Sequence, residues 1–119
     1  MTDNALQEQT QNLVQELRRG VIVLAVLSQL HTEQYGYSLM KLLEEQGMLV
    51  DQGTLYPLLR RMEEQGLLQS SWQMETSRPR RYYILSEFGG KVLKEMTAEW
   101  ARIKTTVDEL LANDKENEK

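Results

Sequence analysis

A chain of 119 residues is one domain's worth of sequence, enough for a modest core that a second copy would enlarge. It contains no cysteine, which excludes disulfides, thiol nucleophiles and cysteine-based metal sites, and its formal net charge of −4 is an unpromising total for a partner of nucleic acid. The longest apolar run, Val21 to Leu27, falls far short of the ~20 residues that span a bilayer, and the polar, acidic start has no signal-peptide character. The expectation is a soluble, cytoplasmic chain with no membrane association.

Residues 1–10 read as a flexible N-terminus, disordered or loosely helical. From Gln11 to Leu30 a helix is predicted, because Leu13, Leu17, Val21, Leu24 and Leu27 recur at a 3–4 spacing. Its Val21–Leu27 segment is apolar all round, as expected of a central buried helix, and Gly20 would allow close backbone approach. Residues 31–34 connect to a second helix, opened by Tyr35 or Gly36 and stopped at Gly47. Tyr37, Met40, Leu43 and Leu39 are expected to face inward. Met48 to Val50 reads as a short extended bridge to later strands.

The stretch Gly53-Thr-Leu-Tyr-Pro-Leu-Leu-Arg-Arg-Met-Glu-Glu-Gln-Gly66 predicts a short third helix with two unlike faces. Leu55, Leu58, Leu59 and Met62 share the apolar face, while Thr54, Tyr56, Pro57, Arg60 and Arg61 lie between them and face out. Asp51 or Gly53 can cap its start, and Gly66 stands where helices are usually broken. Leu67 to Met74 alternates as a strand, with Leu68, Ser70, Trp72 and Met74 on one face. Glu75 to Arg80 forms a polar, proline-bearing turn, and Arg81-Tyr-Tyr-Ile-Leu85 returns as a second strand. The hairpin tip would then hold Arg78, Arg80 and Arg81. Hydroxyls and guanidinium forks on a small helix suit base edges and phosphates of a major groove, and a basic hairpin suits a minor groove and its flanking phosphates. The fold class is therefore mainly α with a small β-hairpin: a winged helix-turn-helix domain over residues 11–85.

Ser86 caps a long last helix over residues 86–112, followed by a charged, frayed tail over 113–119. Val92, Leu93, Met96, Trp100, Ile103, Val107, Leu110 and Leu111 make a coiled-coil-like seam along it. The winged domain lies wholly before this helix, so the seam has no cover within its own domain. The expected partner is the first helix of a second copy, with Leu13 and Leu17 joining the seam residues in a homodimer interface.

Catalysis is poorly supported. The single histidine, His31, lies in a turn between helices, where an exposed or capping role is ordinary. The pairs Glu44-Glu45 and Glu63-Glu64 precede glycines at helix ends and read as solvated surface. No ligand-spaced cluster, glycine-rich phosphate loop or serine nucleophile elbow is present. No enzyme activity, cofactor or metal is expected.

Tyr35-Gly-Tyr-Ser38, Gly53-Thr-Leu-Tyr-Pro57 with the following Leu58 to Leu68, and Pro79-Arg-Arg-Tyr-Tyr-Ile-Leu-Ser86 followed by Gly89 together resemble the signature of PadR-type transcriptional regulators. The order and spacing match over roughly residues 12–112. With one helix after the wing, the chain resembles the short subfamily, to which multidrug-sensing repressors of lactic bacteria belong. The resemblance implies a homodimeric repressor binding a double-stranded DNA operator. It implies DNA contacts from Tyr37, Ser38 and Lys41 on the second helix, and from Gln52, Gly53, Thr54, Tyr56, Pro57, Arg60 and Arg61 on the third. The wing would add Arg78, Arg80 and Arg81. In drug-sensing members a tryptophan at the place of Trp100 faces its symmetry mate, and planar aromatic compounds stack between the rings. That implies an inducer site of Leu17, Val21, Leu93, Met96 and Trp100. Dimer packing alone is the other role open to Trp100.

Two readings stand: a sequence-specific DNA-binding regulator, and a winged-helix protein–protein adaptor without DNA binding. The charge distribution favours the first. Arg60, Arg61, Arg78, Arg80 and Arg81 cluster over residues 51–81 against Asp51, Glu63, Glu64 and Glu75, while the acidic excess lies at the two ends. Phosphate contact is decided by the local field within a Debye length of ~8–10 Å, not by the total charge.

Overall fold

The computed structural model describes residues 3–75 and 77–117. Seven elements follow in chain order: α1 (Asp3–Ser28), β1 (Gln34–Tyr35), α2 (Gly36–Glu45), α3 (Gln52–Glu64), β2 (Leu68–Glu75), β3 (Arg78–Leu85) and α4 (Glu87–Asn117). The three strands form one antiparallel sheet in the order β1-β3-β2. α1 is longer than the apolar spacing predicts: residues 3–10 continue the same helix. α4 likewise runs past Ala112 into the expected tail.

The core forms where the apolar faces of α1, α2 and α3 meet the sheet. Val26, Leu27 and Leu30 from the end of α1, Leu39 and Leu43 from α2, and Leu55, Leu58, Leu59 and Met62 from α3 are all buried, with Leu68, Tyr83 and Leu93 closing the cluster. The leucine–methionine face of α3 is the one its spacing predicts. Gly47 and Gly66 follow α2 and α3 with φ of +92° and +79°, the left-handed backbone that ends a helix at little cost only in glycine.

Three expectations change. Tyr37 is 52 % exposed, so α2 turns Leu39, Leu43 and part of Met40 inward and leaves Tyr37 outside. The strand partner of the wing is Gln34–Tyr35, not Met48–Val50, which has no ladder. Finally, β3 begins at Arg78 rather than Arg81, paired from Glu75↔Arg78 to Leu68↔Leu85. Pro79 is tolerated because β1 reaches only Tyr82 and Tyr83, so at Pro79 the strand has a neighbour on one side alone.

One junction ties the elements. The Ser86 hydroxyl accepts the Gly89 N–H at 2.9 Å, as an N-cap should, and donates to the Gly66 carbonyl at 2.7 Å. The Ser86 N–H donates to the Leu67 carbonyl at 3.0 Å, and the Leu85 N–H to the Leu30 carbonyl at 2.8 Å. The ends of α1, α3 and β3 and the start of α4 thus meet at a single point.

Candidate nucleic-acid interface and the groove behind it

Asp51 is the N-cap of α3, and its carbonyl accepts the Leu55 N–H at 2.9 Å. The Asp51 carboxylate accepts the Thr54 hydroxyl at 2.7 Å, so that hydroxyl is engaged within its own helix start. Gln52, Gly53, Thr54, Pro57, Arg60 and Arg61 are exposed along the helix. Pro57 lacks the N–H that would bond the Gly53 carbonyl, yet the helix continues through it.

Tyr56 is half-buried, and the reason is Gly36. A Cβ at residue 36 would stand 2.2 Å from Tyr56 Cε1 and 2.6 Å from its hydroxyl oxygen. The tyrosine ring therefore lies against the bare backbone at the start of α2, which fixes α2 against α3. Ser38 is also committed: the Tyr35 N–H donates to its Oγ at 3.1 Å, and the Ser38 hydroxyl donates to Gln34 Oε1 at 2.8 Å. Tyr37 and Lys41 are exposed on the outer side of α2, the Tyr37 ring stacked on Tyr35 at 6.4 Å and the Lys41 ammonium 5.8 Å from its centroid.

The wing is less bare than its sequence predicts. With β3 starting at Arg78, only Arg78 stands at the tip; Arg80 and Arg81 lie along the strand. Arg80 pairs with Glu75 at 3.2 Å and covers the Tyr35 ring at 4.5 Å from its centroid. Arg81 reaches back to α3, donating to Glu63 Oε1 at 2.7 Å and to Ser70 Oγ at 3.1 Å. The Ser70 hydroxyl donates to the other Glu63 oxygen at 2.5 Å. Glu63 was read as solvated surface; it instead clamps wing to helix. Burial pushes the Tyr83 phenol above its ordinary value, with the Arg81 guanidinium opposing that rise.

Arg60 and Arg61, about 100° apart around the helix, line different flanks of α3. Arg60 lines a notch of about 310 Å³ toward the wing with Tyr56, Trp72 and Arg81. Arg61 lines a groove of about 220 Å³ toward α1 with Arg19, Thr54 and Pro57. Arg18 and Arg19 were missed by the motif reading. The available signal was their position on α1, off the Leu13–Leu17–Leu24 stripe.

Behind this face, α1 and α4 enclose an open apolar groove of about 520 Å³ lined by Leu17, Gly20, Val21, Leu24, Met96, Trp100 and Ile103, with Glu16 and Glu99 also on its wall. Leu93 is not part of it. It is 6 % exposed, packed into the core of its own chain, and Val92 and Met96 pack partly against that core. The α4 seam therefore divides: its first turns cover the winged domain, and only Trp100 onward is uncovered.

Comparison with known proteins places this architecture. The model of the family described as "Transcriptional regulator PadR-like family" matches residues 23–95, from the second half of α1 into α4. The chain belongs to the PadR-like family. The PadR family regulator of Eggerthella lenta is 45 % identical, covering 90 % of this chain and 96 % of that one, with a TM-score of 0.84. A PadR-like transcription factor of Bacteroides fragilis is 33 % identical over 83 % of this chain and 98 % of its own, with a TM-score of 0.71. A PadR-like regulator of Bacillus cereus is 31 % identical over 81 % and 96 %, with a TM-score of 0.70. Among curated protein sequences, none matches. This PadR-like chain is thus a transcriptional regulator rather than an enzyme, which favours the DNA-binding reading over the adaptor. Among the described residues, no helix is long and apolar enough to cross a membrane.

Proposed function

We propose that this regulator acts as a homodimeric, sequence-specific repressor, docking α3 and the wing on its operator and released by a planar aromatic ligand held near Trp100. The observation that carries the dimer is the uncovered apolar stripe. On α4, Trp100 is 38 % exposed, Ile103, Val107 and Leu110 more so, and on α1 Leu13 and Leu17 are exposed by more than half. A monomer would leave that stripe to water, whereas a second copy laid against it would bury it. A two-fold dimer would present its two α3 helices to successive major grooves, about 34–36 Å apart.

On the DNA side, Tyr37, Lys41, Gln52, Gly53, Thr54, Pro57, Arg60, Arg61 and Arg78 are exposed on contiguous elements, while Ser38, Tyr56, Arg80 and Arg81 serve the scaffold that holds them. On the ligand side, a polarizable Met96 and a flat Trp100 over an apolar floor suit planar rings, and Glu16 favours a cationic one, while Glu99 is paired with Arg102. A ligand can release DNA only by binding one dimer geometry better than the other; a ~100-fold release needs about 2.7 kcal/mol of coupling.

The test combines sedimentation with Trp fluorescence and gel shifts on a duplex selected from a random pool. A planar cationic DNA-stain dye should quench Trp100 and weaken the shift, and Trp100→Ala should lose both responses, with Trp72→Phe removing the background emission. A monomer in sedimentation would overturn the dimer, and a dye without effect on emission or DNA affinity would reduce Trp100 to packing.

A further inference from the structure

We propose that Arg19 of α1 and Arg61 of α3 form a phosphate seat for the duplex backbone on the flank of α3 opposite the wing. The proposal rests on the DNA-binding reading above and adds an element, α1, to the DNA surface.

Four observations carry it. First, Arg19 and Arg61 line the same groove with Thr54 and Pro57, over a floor of Ile22, Val23 and Leu58. No carboxylate lines that groove. Second, both arginines are exposed, and neither forms an ion pair among the described residues, unlike Arg80 and Arg81 on the other flank. Third, the helix segment that carries Arg19 is anchored. The neighbouring Arg18 donates to the Leu49 carbonyl at 2.6 Å, which pins α1 to the α2–α3 turn just before Asp51. Fourth, the groove lies away from the uncovered stripe on α1, so the dimer proposed above leaves it open. Asp51 lines the adjoining groove together with Arg18, Arg19 and Thr54, and one of its carboxylate oxygens accepts the Thr54 hydroxyl.

The chemistry follows from the shape of the major groove. A helix lying in it has a sugar–phosphate strand on either side. The wing flank serves one strand. The other strand meets the α1 flank, where two guanidinium groups over an apolar floor match a phosphate's charge. This contact positions the protein on DNA and reads no base.

The probe is a labelled mixed-sequence duplex of about 30 base pairs, followed by anisotropy of the full-length protein across a salt series. The unaltered protein should bind with a steep salt dependence. Arg19→Ala should weaken low-salt binding several-fold and make the slope of log K against log salt shallower by on the order of 0.9 per protomer. Arg19→Lys should keep both, because a phosphate accepts a point charge. Lys91→Ala removes the same charge from exposed α4 and should leave the slope unchanged. An unaltered slope in Arg19→Ala, or an equal loss in Lys91→Ala, overturns the seat while leaving DNA binding intact. Absence of salt-dependent binding by the unaltered protein overturns the DNA-binding reading itself.

Discussion

The ring of Tyr56 occupies the space that a side chain at Gly36 would need, with Cε1 2.2 Å from the position of a Cβ there. The two short motifs that carry the family signature, Tyr35-Gly-Tyr and Gly53-Thr-Leu-Tyr-Pro, are therefore one packing unit. Gly36→Ala should destabilise the fold by about 1–3 kcal/mol, the ordinary range for overpacking. In a Tyr56→Ala background the same change should cost less than half as much. Urea unfolding of the four proteins gives the coupling, and strictly additive effects would show that the contact does not set the α2–α3 angle.

The Arg81–Glu63–Ser70 cluster makes its own prediction. Both ionised side chains are about a third exposed, so solvent screening keeps the pair's contribution small. Glu63→Ala should lower stability by about 1 kcal/mol or less. It should also free Arg81 and loosen the wing, seen as faster amide exchange in β3 than in α1. Equal exchange in the two proteins would show that the ladder alone holds the wing.

Two tyrosines should titrate late. The Tyr82 phenol donates to the Glu75 carboxylate, which pushes its pKa above 10.0, helped by desolvation and by the carboxylate's charge; the Arg80 guanidinium pulls the other way. A group whose folded pKa is raised contributes stability below its unfolded pKa and loses it as pH rises through the folded value. The Tyr82 contribution should therefore be intact at neutral pH and fade only above pH 10. Glu75→Ala should return one tyrosine to ordinary titration in an ultraviolet pH scan. The Tyr83 phenol, raised mainly by burial, should stay late.

The stripe on α4 predicts its own disruption. Ile103→Glu places a charge where the proposed dimer would exclude water, at a cost of several kcal/mol per interface. Sedimentation should then show monomers with native helix content. An unchanged dimer would mean that the copies meet elsewhere.

Much of the fold was legible because α3, β2 and α4 carry clean periodicity and α2 ends at a glycine. What periodicity could not give was pairing between distant segments. Gln34–Tyr35 is too short to show a pattern, and it joins the sheet only because β3 offers it an edge. The expectation that Arg80 and Arg81 stand free at the wing tip for DNA misses their partners, Glu75 and Glu63, which become neighbours only after folding. Leu93 lay on the same seam as Trp100 by spacing, but α4 crosses from its own core to open surface between them. Arg19 belongs to no motif, and the leucine spacing of α1 carries no information about it.

Ser86 gives the molecule its gearing. One hydroxyl links the first turn of α4 to the glycine that ends α3, so the two helices share an anchor at that point. α4 is 31 residues long. At ~1.5 Å per residue, a tilt of about 5° at that pivot swings its far end by roughly 4 Å. Run backwards, and with two copies meeting along α4 as proposed, a displacement of a few ångströms at that seam would correspond to an angular change of only a few degrees at Ser86. The length of α4 sets that ratio, so a shorter α4 would turn the same displacement into a larger angle.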